Sequence, residues 1–277
     1  MKTNINDIEF GYDRAGQGEA VLLVMGLGTP RIGWFAQFGA LSQSYDVTSF
    51  DNRGCGETAC GGSWTVNDMA DDAIAIADAM GYETFHLAGI SMGGMIAQEV
   101  ALAHPDRLRS LTLMSTTPGG PEAEPMKPEF AEAMAIPDPA LRMRKVTELT
   151  FGSKFRTEHP EMIDLIVNAT SSGDANVSML GGAQTDAGFM GQAMAVASWM
   201  GEGGTHARLK DIAVPTLVMH GGDDLLLPIG NGKILARDIP GATSHFWPEA
   251  GHALNAEKAD EVNTELVAHF ESASARV

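Results

Sequence analysis

The chain has 277 residues, and its 36 acidic side chains outnumber its 18 basic ones, which gives a formal net charge of −18. An acidic surface of this kind repels polyanions, so the charge argues against nucleic acid and anionic membranes as partners. The length suits one large α/β domain, or such a domain with an inserted segment, and a hydrophobic fraction of 44% supplies a sizeable core.

The cellular compartment is predicted from the first residues, from the lengths of the hydrophobic runs and from the cysteines. The first residues, 1–8, contain no apolar leader pattern, and no run approaches the length of a membrane span. We therefore expect a cytoplasmic protein. Cys55 and Cys60 are the two cysteines and fall in one loop. Two reduced thiols are the preferred interpretation, although a disulfide within this small loop stays open. Separately, the chain could form a homodimer.

Strand-like and helical patterns alternate along most of the chain. An alternation of this kind predicts a mostly parallel sheet with helices on both faces. The helix after Thr65 is the clearest, because its apolar residues share one face and Asp68 stands three residues after the capping threonine. The predicted strands lie near residues 5–12, 20–25, 45–50, 84–90, 108–114, 214–220 and 242–246.

The sequence Gly89-Ile-Ser91-Met-Gly93 stands between a predicted strand and a predicted helix. A serine at such an abrupt turn has a strained backbone, and only glycines two residues before and after it leave room for the turn. The geometry lifts the hydroxyl clear of the sheet and directs the first N–H groups of the helix at the group it attacks. We interpret Ser91 as the nucleophile; the alternative is a chance match in a chain with 32 glycines.

The alternation of strands and helices stops after residues 116–121. From there to about residue 209 only helical patterns occur, and Asp138-Pro139 marks the start of one that runs to about Thr150. Other helices are predicted near 129–135, 160–170 and 176–200. Eight of the 16 methionines fall in this region, and flexible thioethers suit an adaptable apolar pocket. Plain packing between helices is the alternative of equal weight. The proposed pocket residues in this region are Met143, Met162, Met179, Met190 and Met194. Trp34, which follows the predicted strand at 20–25, is a further proposed pocket residue, with a core role at the start of a helix as the equal alternative.

A serine nucleophile needs a base, and the base needs an orienting acid; on this architecture the chain order is serine, acid, histidine. Asp223 and Asp224 both follow the predicted strand at 214–220. His252 stands on a loop before the last helix, directly after a glycine, and is the one histidine with the right placement and order. His252 is therefore the predicted base, while position alone leaves the two aspartates open.

The segment His220-Gly-Gly-Asp-Asp224-Leu-Leu-Leu-Pro228 resembles the HGxxDxxxP pattern of the α/β-hydrolase superfamily, and Asp51-Asn-Arg-Gly-Cys-Gly-Glu-Thr58 resembles its DxRGxGxS loop. The resemblance selects Asp224 as the acid and leaves Asp223 as a turn or capping residue. It gives His220 a scaffolding role and Arg53 a loop-shaping one. The family fold is a mostly parallel sheet with helices on both faces and a helical cap after the sixth strand.

The same resemblance implies a core of residues 1–118 and 210–277 with a cap of residues 119–209. It also implies an oxyanion hole made by the N–H groups of Leu27 and Met92. Met25 replaces the histidine that the family usually has before the oxyanion loop, which affects a side chain and not the donor backbone.

Within the superfamily the motifs are similar to those of small Ser-Asp-His carboxylester hydrolases and lactonases. A serine at position 91 argues against the haloalkane dehalogenases and epoxide hydrolases, which use aspartate there. The leading hypothesis is hydrolysis of a small, fairly apolar ester or lactone with no cofactor and no metal. A carbon–carbon bond hydrolase of diketones and a ligand receptor that retains the triad are the alternatives.

Overall fold

The computed structural model describes residues 1–58, 60–171 and 186–275. Its sheet has eight strands in the order β1-β2-β4-β3-β5-β6-β7-β8. The first two pairings, β1 with β2 and β2 with β4, are antiparallel, and the remaining ones are parallel. The strands are β1 (Lys2–Ile5), β2 (Ile8–Ala15), β3 (Ala20–Val24), β4 (Asp46–Phe50), β5 (Phe85–Ile90), β6 (Leu108–Met114), β7 (Thr216–Gly221) and β8 (Thr243–Trp247).

Helices cover both faces of this sheet, as the alternating pattern predicts. They are α1 (Phe35–Leu41), α2 (Val66–Ala79), α3 (Met92–Ala103), α4 (Pro128–Met134), α5 (Pro139–Thr150), α6 (Ser153–Glu158), α7 (Pro160–Ser171), α8 (Asp186–Gly201), α9 (Gly230–Asp238), α10 (Leu254–Glu257) and α11 (Ala259–Ser274). One core lies between the sheet and α2, α3, α8 and α9. The other lies between the sheet and α1, α10 and α11. None of the helices in the described ranges combines the length and apolar character needed to cross a membrane.

Two predicted helix starts are confirmed in atomic detail. The Thr65 side chain accepts a hydrogen bond from Asp68 N, and the Asp68 side chain accepts one from Thr65 N, so α2 begins with a capping box. At α5 the Asp138 side chain accepts from Leu141 N, and Pro139 is the first helical residue. Both patterns locate the helix start because they satisfy N–H groups that have no partner within the helix.

The predicted single strand over residues 5–12 is wrong. The structure has a hairpin there, in which β1 and β2 pair and Ile5 stands opposite Ile8. Asn6 and Asp7 connect them with φ values of 51° and 64°. A two-residue hairpin turn of type I′ needs positive φ at both positions, and asparagine and aspartate tolerate it. The Asn-Asp pair was the signal that the sequence interpretation missed.

Five helices, α4 to α8, lie between β6 and β7 in the described part of the chain. We call the described residues within 119–209, which are 119–171 and 186–209, the helical segment. It begins after the sixth strand, as predicted. The predicted helix at 176–200 is described only from Asp186, and α6 is an additional short helix that periodicity did not predict.

Candidate active site

Ser91 stands at the turn from β5 into α3 with φ 56° and ψ −122°. Positive φ is strained for a residue with a side chain and persists only where the surrounding structure imposes it. The flanking glycines explain how the turn fits. A Cβ on Gly89 would lie 2.2 Å from Gly93 O, and one on Gly93 would lie 2.1 Å from Val24 O. The predicted strained turn is present.

Three of the predicted site residues follow the carboxyl ends of parallel strands. Ser91 follows β5, Asp224 comes three residues after β7, and His252 comes five residues after β8. These strands belong to the parallel part of the sheet, so their carboxyl ends lie along one edge. In open α/β sheets ligands bind at this edge.

Asp224 and His252 are in direct contact. Asp224 Oδ2 lies 2.8 Å from His252 Nδ1, and Asp224 Oδ1 accepts hydrogen bonds from the N–H groups of Leu226 and Leu227 at 2.9 and 2.8 Å. The carboxylate is 2% exposed. Burial alone would raise the pKa of Asp224, but the charge of His252 and hydrogen bonds from His220 and His252 outweigh it and hold that pKa well below its usual range.

This contact decides which nitrogen of His252 can act as a base. An ionised carboxylate only accepts hydrogen bonds, so Nδ1 carries the proton and donates it to Asp224. Nε2 is then the unprotonated nitrogen of the neutral ring. The Ser91 hydroxyl makes no hydrogen bond to His252 within the described residues; contacts of this kind tighten when substrate binds. The structure therefore joins Asp224 to His252 directly, and Ser91 is partly exposed after a strand that ends at the same sheet edge.

His220 is a contact of Asp224 that the sequence interpretation underrated. Its Nε2 lies 2.7 Å from Leu227 O and 3.3 Å from Asp224 Oδ2. A carbonyl oxygen only accepts, so Nε2 carries the proton. The ring is fully buried, and Nδ1 has no hydrogen-bond partner among the described residues. The histidine four residues before the acid, in the same motif, was the available signal.

Asp223 points to a different partner. Its Oδ2 accepts a hydrogen bond of 2.6 Å from Ser153 N, the first residue of α6. This is the capping type of role that the sequence predicts for Asp223, although the helix it serves is distant in the chain. Of the two adjacent aspartates, only Asp224 contacts His252.

The loop after β3 comes close to the serine. A Cβ on Gly26 would lie 3.1 Å from Ser91 Cβ and 3.6 Å from Ser91 Oγ. Neither the Leu27 N–H nor the Met92 N–H donates to another residue in the described ranges. Thr116 Oγ1 donates to Ser91 O at 2.7 Å and supports the turn from β6. Leu27 follows Gly26 and Met92 follows Ser91, so both N–H groups belong to segments close to the serine, and the oxyanion hole stays a prediction.

The Arg53 side chain binds to helix α2. Its Nε and one terminal nitrogen each lie 2.6 Å from the carboxylate of Asp72 on α2. Asp51 is fully buried and accepts from the backbone N–H groups of Arg31 and Glu57 at 2.7 and 2.8 Å. These charges shape the loop, in agreement with their sequence interpretation. Cys55 and Cys60 are both free.

The predicted pocket residues divide into several groups. Trp34 is fully buried in the core with α1, α10 and α11, and its role in a pocket stays a prediction. Met162 is 42% exposed and Met143 is half-buried. Met190 and Met194 are 56% and 61% exposed. Met179 lies outside the described residues.

Met190 and Met194 lie on the exposed side of their helix. Gln192, between them in sequence, is fully buried against the core loops. Residues two positions away on a helix point about 200° around its axis, so both methionines point away from the core. Packing in the core does not explain the positions of these two methionines either. The sequence could not reveal this, because α8 is apolar nearly all round.

Comparisons with known proteins agree with this architecture. The family model described as alpha/beta hydrolase fold matches residues 19–259. A relative from Variovorax paradoxus, RutD, provisionally named a carbamate hydrolase, is 30% identical over 90% of this chain and 91% of its own length. Among solved structures, a thermophilic esterase from Thermogutta terrifontis is 26% identical with a TM-score of 0.79, covering 96% of this chain and 94% of that one.

A second similar structure, Est816, is described as an N-acyl homoserine lactone degrading enzyme. It is 25% identical with a TM-score of 0.78, and the match covers 97% of this chain and 99% of that chain. The family match spans far more than half of the sequence, and the three relatives are described by the reactions they catalyse on ester, lactone or carbamate bonds. The chain belongs to the α/β-hydrolase family and is a hydrolase.

Proposed function

We propose that this hydrolase cleaves a carboxylic ester or lactone, with Ser91 as nucleophile, His252 as base and Asp224 as orienting acid. The observation that carries the proposal is the 2.8 Å contact between His252 Nδ1 and Asp224 Oδ2 at the sheet edge where the strained Ser91 turn lies. Nucleophile, base and acid in this chain order are typical of acyl transfer through a covalent intermediate.

In the acylation half, His252 Nε2 takes the proton of the Ser91 hydroxyl as Oγ attacks the carbonyl carbon. The carbonyl oxygen becomes an anion and accepts hydrogen bonds from the Leu27 and Met92 N–H groups. Asp224 stabilises the imidazolium that forms, since it accepts from Nδ1 and stays ionised. The tetrahedral intermediate collapses, and His252 gives its proton to the leaving alkoxide.

In the deacylation half, a water molecule replaces the alcohol. His252 Nε2 takes a proton from this water as its oxygen attacks the acyl carbon, and the same two N–H groups donate hydrogen bonds to the second oxyanion. Collapse releases the carboxylic acid, and the proton returns from His252 to Ser91 Oγ. For a lactone, acid and alcohol remain in one molecule after ring opening.

We further propose that the helical segment is a cap that selects a small, fairly apolar substrate. The junction between α5 and α6 contacts two loops, the one that contains Asp223 and Asp224 and the one that contains His252. Ala253 N donates to Thr150 O at 2.8 Å, and Ser153 N donates to Asp223. Glu257 Oε2 accepts from Gly152 N at 2.9 Å and from Gly251 N at 3.0 Å. Selective sites need apolar walls that strand-end loops alone do not provide. Met143 and Met162 remain the proposed wall residues.

A substrate panel tests this function. It contains short-chain p-nitrophenyl esters, methyl esters, lactones, a carbamate and a ring-cleavage diketone, each assayed with the wild type and Ser91→Ala. The carbamate is included because of the relative from Variovorax paradoxus. We expect turnover of an ester or lactone, lowered in the variant by about three orders of magnitude or more. Turnover of only the diketone or only the carbamate would replace the proposed reaction. Binding without any turnover would identify a receptor.

A further inference from the structure

Helix α8 docks on the core through one face. The residues of this face follow helical spacing and are buried: Gly188, Gly191, Gln192, Ala195 and Trp199. Its glycines permit very close approach, because a Cβ on Gly188 would lie 2.1 Å from Gly54 O. Near its other end, Trp199 Nε1 donates to Glu99 of α3 at 2.7 Å.

Gln192 is the polar residue at the centre of this face, and its amide joins two loops of the core. Its Oε1 accepts from Gly28 N at 2.8 Å, and its Nε2 donates to Arg53 O at 2.9 Å. The side chain is fully buried. The orientation of the amide is fixed by its partners, since an N–H can only donate and a carbonyl oxygen can only accept.

Gly28 is the residue after Leu27, whose N–H is the proposed oxyanion donor. We propose that Gln192 is a positioning residue that fixes the oxyanion loop from the helical segment, so that docking of α8 sets the placement of the Leu27 N–H. This inference rests on the proposed function. By holding the Gly28 N–H, Gln192 fixes the next peptide plane along the loop. By donating to Arg53 O, it braces this loop against its neighbour.

Burial gives these two hydrogen bonds their importance. At an exposed site water would replace a lost partner, but the fully buried amide has no such substitute. A loop that has lost this partner would move, and small displacements of an oxyanion donor reduce catalysis sharply because its energy depends on distance.

The central variant is Gln192→Leu, which keeps a similar volume and removes both hydrogen bonds. We expect kcat to fall about tenfold to a hundredfold, less than loss of a whole oxyanion donor, with KM changed by less than about twofold. Affinity for a boronic acid should fall in parallel with kcat. This probe forms a bond from Ser91 Oγ to boron and places a boron-bound oxygen where the oxyanion develops.

Trp199→Phe is the matched control, because it weakens the same docking face without touching the oxyanion loop. Glu99 keeps its contacts with Arg208 at 2.7 and 3.0 Å in this variant. A lowered Tm with kcat and boronic acid affinity near wild type is expected. If activity depended only on how firmly α8 docks, both variants would instead lose activity in proportion to the fall in their Tm.

Gln192→Glu supplies a second test if the leucine variant folds poorly. A protonated carboxyl can accept from Gly28 N and donate to Arg53 O, as the amide does, whereas an ionised one cannot donate and adds a charge near the oxyanion. The ratio of its kcat to that of wild type should therefore fall as pH rises. A ratio independent of pH would count against the proposal.

Amide hydrogen exchange separates this inference from the proposed function. If wild type and Ser91→Ala are equally inactive on the panel, the proposed function fails, but exchange still reports on the loop. Faster exchange at Gly28 in Gln192→Leu than in Trp199→Phe supports the fixing role of Gln192. Equal exchange at Gly28 in the two variants, or an unchanged kcat in Gln192→Leu, overturns the proposal.

Discussion

The strand-end loops of the core and the helical segment over them constrain their sequences in different ways. In the core, backbone geometry dictates single residues: Ser91 has φ 56°, and Gly93 has no room for a side chain beside Val24 O. In the helical segment single residues are dictated by partners far away in the chain, as Gln192 is by Gly28, 164 residues away. Residues that a local turn requires are therefore easier to predict from sequence than residues that a distant contact requires.

The core and the helical segment meet at the adjacent Asp223 and Asp224. Substituting these two residues one at a time should give the largest difference in kcat. Asp224→Asn should lower kcat about 10³–10⁴-fold, because a neutral amide no longer fixes the imidazole with Nδ1–H toward it. In Asp223→Asn the amide oxygen can still accept from Ser153 N, so we expect less than about a threefold change. Steady-state kinetics on one ester measures both. The reverse ranking would transfer the acid role to Asp223.

Docking of the helical segment is tested at Gly188. Gly188→Ala places a Cβ within 2.1 Å of Gly54 O, and such overpacking costs about 1–3 kcal/mol in free energy of unfolding. Gly201→Ala in the same helix is the control, because nothing lies within 4 Å of its added Cβ. Thermal unfolding should show a Tm lowered by several degrees only for Gly188→Ala. Equal Tm values would contradict the close contact between α8 and the loop at Gly54.

The core site also predicts a pH dependence of stability. Because the folded-state pKa of Asp224 lies below that of the unfolded chain, the ionised carboxylate stabilises the fold above about pH 4. This contribution is lost as pH falls through the folded-state pKa. The Tm difference between wild type and Asp224→Asn should therefore narrow as the pH is lowered from 6 to 3. A constant or widening difference would contradict the lowered pKa.

The smallest expected effects are on the outer face of α8. Met190→Phe and Met194→Phe should leave both Tm and the preference among p-nitrophenyl acyl chain lengths unchanged, since both side chains point away from the core. Met143→Phe is the comparison, because a half-buried wall residue should alter that preference. A shift in chain-length preference for Met190→Phe or Met194→Phe would support the pocket role that the sequence predicts for these residues.

The sequence predicts much of the fold and of the proposed site for identifiable reasons. The turn at Ser91, the cap at Thr65 and the helix start at Asp138 are local, so the required residues stand close together in the chain. Resemblance to the family was needed to choose Asp224 over Asp223, since the deciding contact comes from a loop 28 residues away.

What the sequence did not predict depends on contacts between distant parts of the chain. Gln192 reads as one polar residue in an apolar helix, and its partner Gly28 lies 164 residues away. Burial of Trp34 follows from packing against α10 and α11, which sequence periodicity does not specify. The hairpin at Asn6 and Asp7 is different, because its signal was local and was overlooked.

The most direct test of the account is labelling with a serine-directed fluorophosphonate, followed by mass spectrometry of the digested protein. The strained turn places Ser91 beside Gly26, and Asp224 contacts His252, the proposed base. The account predicts one label, on Ser91, that disappears in Ser91→Ala and forms much more slowly in Asp224→Asn. A label on another residue, or an unlabelled enzyme that still hydrolyses esters, would contradict it.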